Sequence, residues 1–271
     1  LRVAYGVFLS GIYLVVESWL NERSGNEVRG SVLSLYTVIN MVMMAAGQVL
    51  INLYDPAGLE LFILSGLLVS LAAVPVALTR QASPRTVPPP KVGFSMLSAL
   101  PRVAIVGALA GGLTTGAFWG LAPVFGTAVG LSVKEVSLFL AVTILGGALL
   151  QWPLGRLSDR VDRRRVVVVC LVGAAVAGTF LHLNAGRNEM AVLLAVFFFG
   201  SFAFPLYVIS AAHAIDWADA DDLVKTGTAI LFLTSLGALA GPLLAAGVIA
   251  VLDENALFLF TSLVHGGAGA L

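Results

Sequence analysis

The sequence predicts an all-α polytopic membrane protein, and three observations carry the prediction. Long runs are almost free of formal charge, the composition is strongly apolar, and Lys and Arg are concentrated in alternate gaps between the runs. A bilayer's hydrocarbon core is about 30 Å thick and a helix rises about 1.5 Å per residue, so roughly 20 apolar residues span it. With 59% hydrophobic and 11% charged residues in a chain of 271, and a mean hydropathy of +0.98, too little polar surface exists to cover a soluble globule.

Taken in order, the first run covers residues 1–20 and carries Arg2 and Glu17, the only charges inside any run. Uncharged runs follow at 30–54 and 61–79, and then, beyond a long gap, at 103–133, 136–155, 166–186, 190–215, 226–252 and 255–271. Nine spans are expected, the last of them short. Pro75, Pro123, Pro153, Pro205 and Pro242 lie within or at the ends of spans, where each removes a backbone donor and loosens its helix. Gly107, Gly111, Gly112 and Gly116, and again Gly237, Gly241 and Gly247, form small faces that let helices approach closely.

Basic residues set the expected orientation. The gaps after spans one, three, five and seven hold Arg23 and Arg29; Arg80, Arg85, Lys91 and Arg102; Arg156, Arg160, Arg163, Arg164 and Arg165; and Lys225. The opposite gaps hold only Lys134 and Arg187, so the positive-inside rule places the first set in the cytoplasm, the N-terminus outside and the C-terminus inside. The gap at 79–102 combines a Pro run with four basic residues and reads as an extended tether. The expected organisation is therefore a partial N-terminal half at 1–79, a cytoplasmic linker at 80–102 and a six-span half at 103–271. The chain starts with Leu1 and stops inside an apolar run, so the native protein is expected to be longer at both ends.

Cys170 stands alone, and His182, His213 and His265 lie in different spans without ligand spacing, so neither a disulfide framework nor a metal site is expected. Phosphate loops, nucleophile elbows and zinc motifs are not found, and no cofactor or nucleic-acid partner is implied. The lipid bilayer is the expected partner of such spans.

At 100° per residue Arg2, Gly6, Ser10, Tyr13 and Glu17 fall within an arc of about 80°, one polar stripe on the first span. Charges inside a span are costly unless they face a partner or water, which marks Arg2 and Glu17 as cavity candidates. The other reading places Arg2 near a chain end and Glu17 at the headgroup level. The second span carries Ser34, Thr37, Gln48 and Asn52 on one face with Asn40 at its edge, suited to a cavity wall or to interhelical hydrogen bonds. Trp119 with Thr115, Gln151 with Trp152, and Tyr207 with His213 suit a cavity for an amphiphilic organic molecule, and equally core packing.

The gap Gly155-Arg156-Leu157-Ser158-Asp159-Arg160-Val161-Asp162-Arg163-Arg164-Arg165 resembles the loop motif of the major facilitator superfamily, with Asp162 where the family prefers Gly. The first span with its Asn21-Glu22-Arg23 gap, Gly47-Gln48 and Gln151-Trp152-Pro153-Leu154-Gly155 resemble the YcaD-type subgroup of bacterial facilitators. This resemblance implies a facilitator-type helical bundle in the cell's inner membrane, with the nine spans matching the family's fourth to twelfth. It further implies a secondary active transporter of a small organic solute, working by alternating access with proton coupling. The family's fourth span carries an Arg near the place of Arg2 that is associated with coupling. The loop residues Gly155, Asp159, Arg160, Arg163 and Arg164 would act as a conformational latch, with Asp159 bridging towards Arg29 and Gly30. The alternative is a polytopic protein without transport activity, such as a scaffold or lipid-modifying enzyme, or an inactive truncated remnant.

Overall fold

A computed structural model describes residues 2–24, 29–79, 97, 100–184, 188–219, 222–253 and 255–270. Most of the expected linker at 80–102 lies outside these residues, as do the side chains of Arg2, Arg29 and Ser34. Every described regular element is helical: α1 (Arg2–Arg23), α2 (Arg29–Leu50, continued by a 3₁₀ turn at Ile51–Leu53), α3 (Glu60–Leu78), α4 (Arg102–Ala128), α5 (Val133–Arg160), α6 (Arg163–Asn184), α7 (Glu189–Ala203), α8 (Leu206–Ile215), α9 (Leu223–Val251) and α10 (Ala256–Gly269). Among the described residues seven stretches are long and apolar enough to cross a membrane, and two shorter apolar helices, Ala4–Leu20 and Ala256–Gly269, flank them. The chain is a multi-pass membrane protein.

The seventh expected run is one span built from two helices. It breaks between α7 and α8 because Pro205 has no N–H to continue the ladder; Pro205 instead caps α8, where the missing donor is harmless. The other internal prolines, Pro75, Pro123, Pro153 and Pro242, are accommodated inside continuous helices.

The chain divides into two compact units, Leu1–Met43 with Leu53–Pro89, and Met44–Asn52 with Pro90–Leu271. In the first, α3 buries none of its residues, and large apolar side chains such as Phe8, Phe62 and Val69 are exposed, as suits surfaces meant for lipid or for other helices. The second unit has a dense core. There α4 packs on α8, α9 and α10, α5 on α7, and α6 on α7 and α10.

Glycines explain the closest of these approaches. A Cβ on Gly112 or Gly116 would collide with the backbone of Thr234 or Ala238 on α9, and one on Gly241 with the carbonyl of Leu113 on α4. The small faces of the two helices interlock, as the spacing of the glycines predicts. Gly107 and Gly111 turn instead to α8, against Ser210 and Leu206, while Gly247 meets nothing. The same arrangement joins α5 to α7, where Gly146 lies on the Phe197 carbonyl and Gly200 on that of Thr143. Lipid tails are as apolar as Leu, so close packing rather than exclusion from water holds such helices together.

Between these contacts runs an aromatic ladder. Phe125 and Phe258 meet edge to face at 4.8 Å, Phe199 and Phe258 at 5.3 Å, and Phe118 lies 5.9 Å from Phe199. Edge-to-face pairs align the positive ring edge with the negative face of the neighbour, adding about 0.5–1.5 kcal/mol each to plain contact.

Candidate functional site

Two polar groupings lie at opposite ends of the C-terminal bundle. At the end that carries the basic loop, α5 finishes at Arg160 and α6 starts at Arg163, and the turn between them is organised by two carboxylates. Asp162 caps α6: its Oδ1 accepts from the Arg164 N–H at 2.9 Å and its main-chain oxygen from the Arg165 N–H at 2.9 Å. Asp159 sits in the last turn of α5 and pairs with Arg163 at 3.0 Å, while Arg29, towards which it was expected to bridge, has its side chain outside the described residues. The residue that departs from the family pattern therefore supplies the cap, a task for which Asp is better suited than Gly.

Arg163 is the hub. Its Nε donates to Asp216 Oδ2 at 2.6 Å, and its Nη1 reaches Ser158 Oγ at 2.8 Å and Asp159 Oδ1. One planar guanidinium thus binds the end of α5, the start of α6 and the residue that closes α8. Beside it the Arg164 guanidinium lies 5.4 Å over the Trp217 ring, which meets His213 at 6.4 Å, and Arg156 lies 4.3 Å over Trp152. Ser158, Asp159, Arg163, Arg164, Asp216 and Trp217 surround a polar hollow, into which the buried His213 contributes an Nε2 without a partner among the described residues. Arg160 is exposed, and a side chain at Gly155 would meet no neighbour.

At the other end, Gly130, Leu131 and Glu135 from the α4–α5 turn share a hollow with Asn188 and Glu189 from the start of α7. His182 near the end of α6 contacts the Asn255 carbonyl at 3.0 Å before α10. The gaps expected on one membrane face thus converge within this unit, and those expected on the opposite face do likewise.

In the N-terminal unit, the Tyr13 hydroxyl of α1 donates to Asn40 Oδ1 of α2 at 3.4 Å. Tyr36, one turn before Asn40, lies within reach of Asn40, Glu17 and Tyr13, and its hydroxyl is buried. Four polar side chains from two helices meet here. Ser10 on α1 is exposed, and Thr37 on α2 is half-buried.

Trp119 and Tyr207 are drawn into the C-terminal core. The Trp119 ring stacks on Phe204 at 6.1 Å and meets Phe118 edge to face at 5.5 Å. Tyr207 packs against the small residues of α4, α8 and α9, among them Ala104, Ala108 and Ala229. Gln48 enters the contact network through its main chain, since its carbonyl accepts from the Ser137 hydroxyl at 2.5 Å.

A pair that periodicity and spacing could not reveal lies deep in the same core. His265 Nε2 on α10 is 3.0 Å from the Thr114 hydroxyl on α4, and both residues are fully buried. The Thr114 hydroxyl also lies 2.8 Å from the Ala110 carbonyl, so it joins the imidazole to the α4 backbone. Among the described residues no group of three or more His, Cys, Asp or Glu is arranged to hold a metal.

Residues 104–271 match the model of the Major Facilitator Superfamily. The chain belongs to that family. Relatives extend the likeness to nearly the whole chain: a protein of Yersinia pestis (strain Pestoides F) named as an uncharacterized MFS-type transporter is 29% identical over 265 residues, covering 95% of this chain and 67% of the relative. A YcaD protein of Escherichia fergusonii with the same description is 27% identical over 265 residues, covering 97% of this chain and 68% of its own length. This facilitator therefore spans about two thirds of the relatives it matches, and its loop at 155–165 and helices α5 to α10 fall inside the family match.

Proposed function

We propose that this chain is part of a secondary active transporter that moves a small organic solute across the cell's inner membrane by alternating access, coupled to protons. Its membership of the facilitator family carries the reading, and its names among relatives point the same way. The geometry adds a mechanism. Arg163 fastens three helices at one bundle end through exchangeable ion pairs, which form and break at low cost beside water and so suit a latch between two conformations.

In this reading Arg2, Ser10, Tyr13, Glu17, Asn40, Gln48, Trp119 and Tyr207 contribute to the solute and proton path. Gly155, Asp159, Arg160, Arg163 and Arg164 belong to the latch. Residues 1–79 supply three spans of one half, 80–102 a cytoplasmic linker and 103–271 the other half, with the start of this chain outside and its end in the cytoplasm. Within the N-terminal unit, Glu17 is the carboxylate beside the Tyr13, Tyr36 and Asn40 grouping, which makes it the coupling candidate of this reading.

The test is reconstitution of the full-length protein into liposomes with an entrapped pH dye and an imposed pH gradient, challenged with a panel of amphiphilic organic solutes. Solute flux accompanied by proton movement, and collapsed by a protonophore, is the expected result. Solute flux that ignores the gradient would remove proton coupling. No flux of any solute from protein shown to be folded would favour a polytopic protein without transport activity.

A further inference from the structure

The geometry points to a releasable clasp at the bundle end opposite the Arg163 hub, in which Ser137 of α5 holds the last turn of α2 through Gln48 and Asn52. Ser137 is 2% exposed, in the second turn of α5. Its hydroxyl donates to the Gln48 carbonyl at 2.5 Å and accepts from Asn52 Nδ2 at 2.9 Å. A helix leaves its last four carbonyls without partners inside the helix, and Gln48 lies among the last residues of α2, so Ser137 serves as a cap supplied by another helix. The segment Met44–Asn52 accordingly clusters with the C-terminal unit, although the preceding residues of the same helix do not.

Two features make this a clasp rather than fixed scaffolding. The first is its incomplete satisfaction: Asn52 Oδ1 is buried and has no partner among the described residues. Buried polar groups are normally paired, so the empty oxygen is a local cost of this arrangement that a second arrangement, with Asn52 turned to water, removes. The second is placement. Ser132 and Glu135 form a capping box that fixes the start of α5, with the Ser132 N–H donating to Glu135 Oε2 at 2.6 Å, so Ser137 is presented by a rigid first turn. Ser158, which holds Arg163, lies near the other end of the same helix, about 30 Å away at about 1.5 Å per residue. One helix thus carries an interhelical polar link at each end, and release of one while the other holds lets α5 tilt without unpacking its core contacts with α7.

The inference rests on the alternating-access reading for its purpose, but its structure can be tested without any solute. In full-length protein whose other cysteines are replaced, Asn52→Cys with Ser137→Cys is oxidised in membrane vesicles and scored by protection from maleimide-polyethylene glycol. Both cysteines should become protected on oxidation and reactive again after reduction. Continued reactivity of both after oxidation would overturn the contact. Separately, Ile51→Cys is labelled by a membrane-impermeant maleimide: Ser137→Ala should speed labelling several-fold and Ser137→Thr, which keeps the hydroxyl, should restore the original rate. Equal rates in all three would overturn the clasp even if Ser137→Ala folds poorly, because the Thr variant and the parent remain comparable. Where the reduced cysteine pair carries solute, the disulfide should stop it. Transport that continues across the disulfide would overturn release, whereas a reduced protein that moves nothing counts against the transporter reading and leaves the clasp to the labelling result.

Discussion

Arg163 Nε donates to Asp216 Oδ2 at 2.6 Å, joining the start of α6 to the residue that closes α8 across 53 positions of sequence. The Arg side chain is four-fifths buried at 20% exposure and the Asp half exposed at 49%, so the pair is charge-assisted but partly screened. A double-mutant cycle with Arg163→Gln and Asp216→Asn, read by thermal unfolding in detergent, should give a coupling of about 1 kcal/mol. The same variants should shift the balance of the two transport conformations seen by cysteine accessibility. Arg163→Lys should not rescue, because one ammonium cannot span Asp216, Asp159 and Ser158 as the fork of Arg163 does. Full rescue by Lys would reduce the hub to a plain topology anchor.

Gly241 and Gly247 lie on the same helix, yet only the first has no room for a side chain. Gly241→Val forces α9 away from the Leu113 carbonyl and should lower stability by about 1–3 kcal/mol, the range of overpacking in dense cores. Gly247→Val, where a Cβ meets nothing, should leave the melting temperature close to that of the parent. Equal effects of the two would mean that α4 and α9 are not in close contact.

How much of this was legible depends on how local each signal is. The spans follow from uncharged length, and the interlocking faces of α4 and α9 follow from glycines one helical turn apart; both are properties of a single helix. The break at Pro205 was marked by the proline but not by hydropathy, because α7 and α8 are equally apolar and read as one run. Asp216 stood out only as one of several acidic residues in a gap, since nothing in its neighbourhood announces that Arg163 will fold onto it. Trp119 shows the converse difficulty: an aromatic suited to a cavity wall is here stacked on Phe204, and periodicity reports which face a residue is on, not what meets it there.

Thr114 and His265 are 151 positions apart and fully buried, which makes their contact a test of the α4–α10 interface. Thr114→Val keeps the shape but removes the hydroxyl that pairs with His265 Nε2. Leaving that buried nitrogen without its partner should cost about 1–2 kcal/mol, whereas Thr114→Val combined with His265→Phe should recover much of the loss because both polar partners are gone. Thermal unfolding of the three variants measures this directly. Additive losses would show that the two side chains do not depend on each other.

Glu17 is the last and most functional case. It lies near Tyr36 on the neighbouring helix, with Tyr13 and Asn40 hydrogen-bonded beside it. Glu17→Gln keeps the size and hydrogen-bonding capacity while removing the exchangeable proton, so membrane insertion and unfolding temperature should be unchanged. Gradient-driven flux should fall at least tenfold, equivalent to about 1.4 kcal/mol, while solute exchange without a gradient persists. Asn40→Ala should instead weaken both modes to a similar extent, because it loosens the hydrogen bond from Tyr13 that positions the grouping without taking away a proton site. An unchanged pH dependence in the Gln variant would move the coupling step away from α1 and leave this grouping a packing feature of the N-terminal unit.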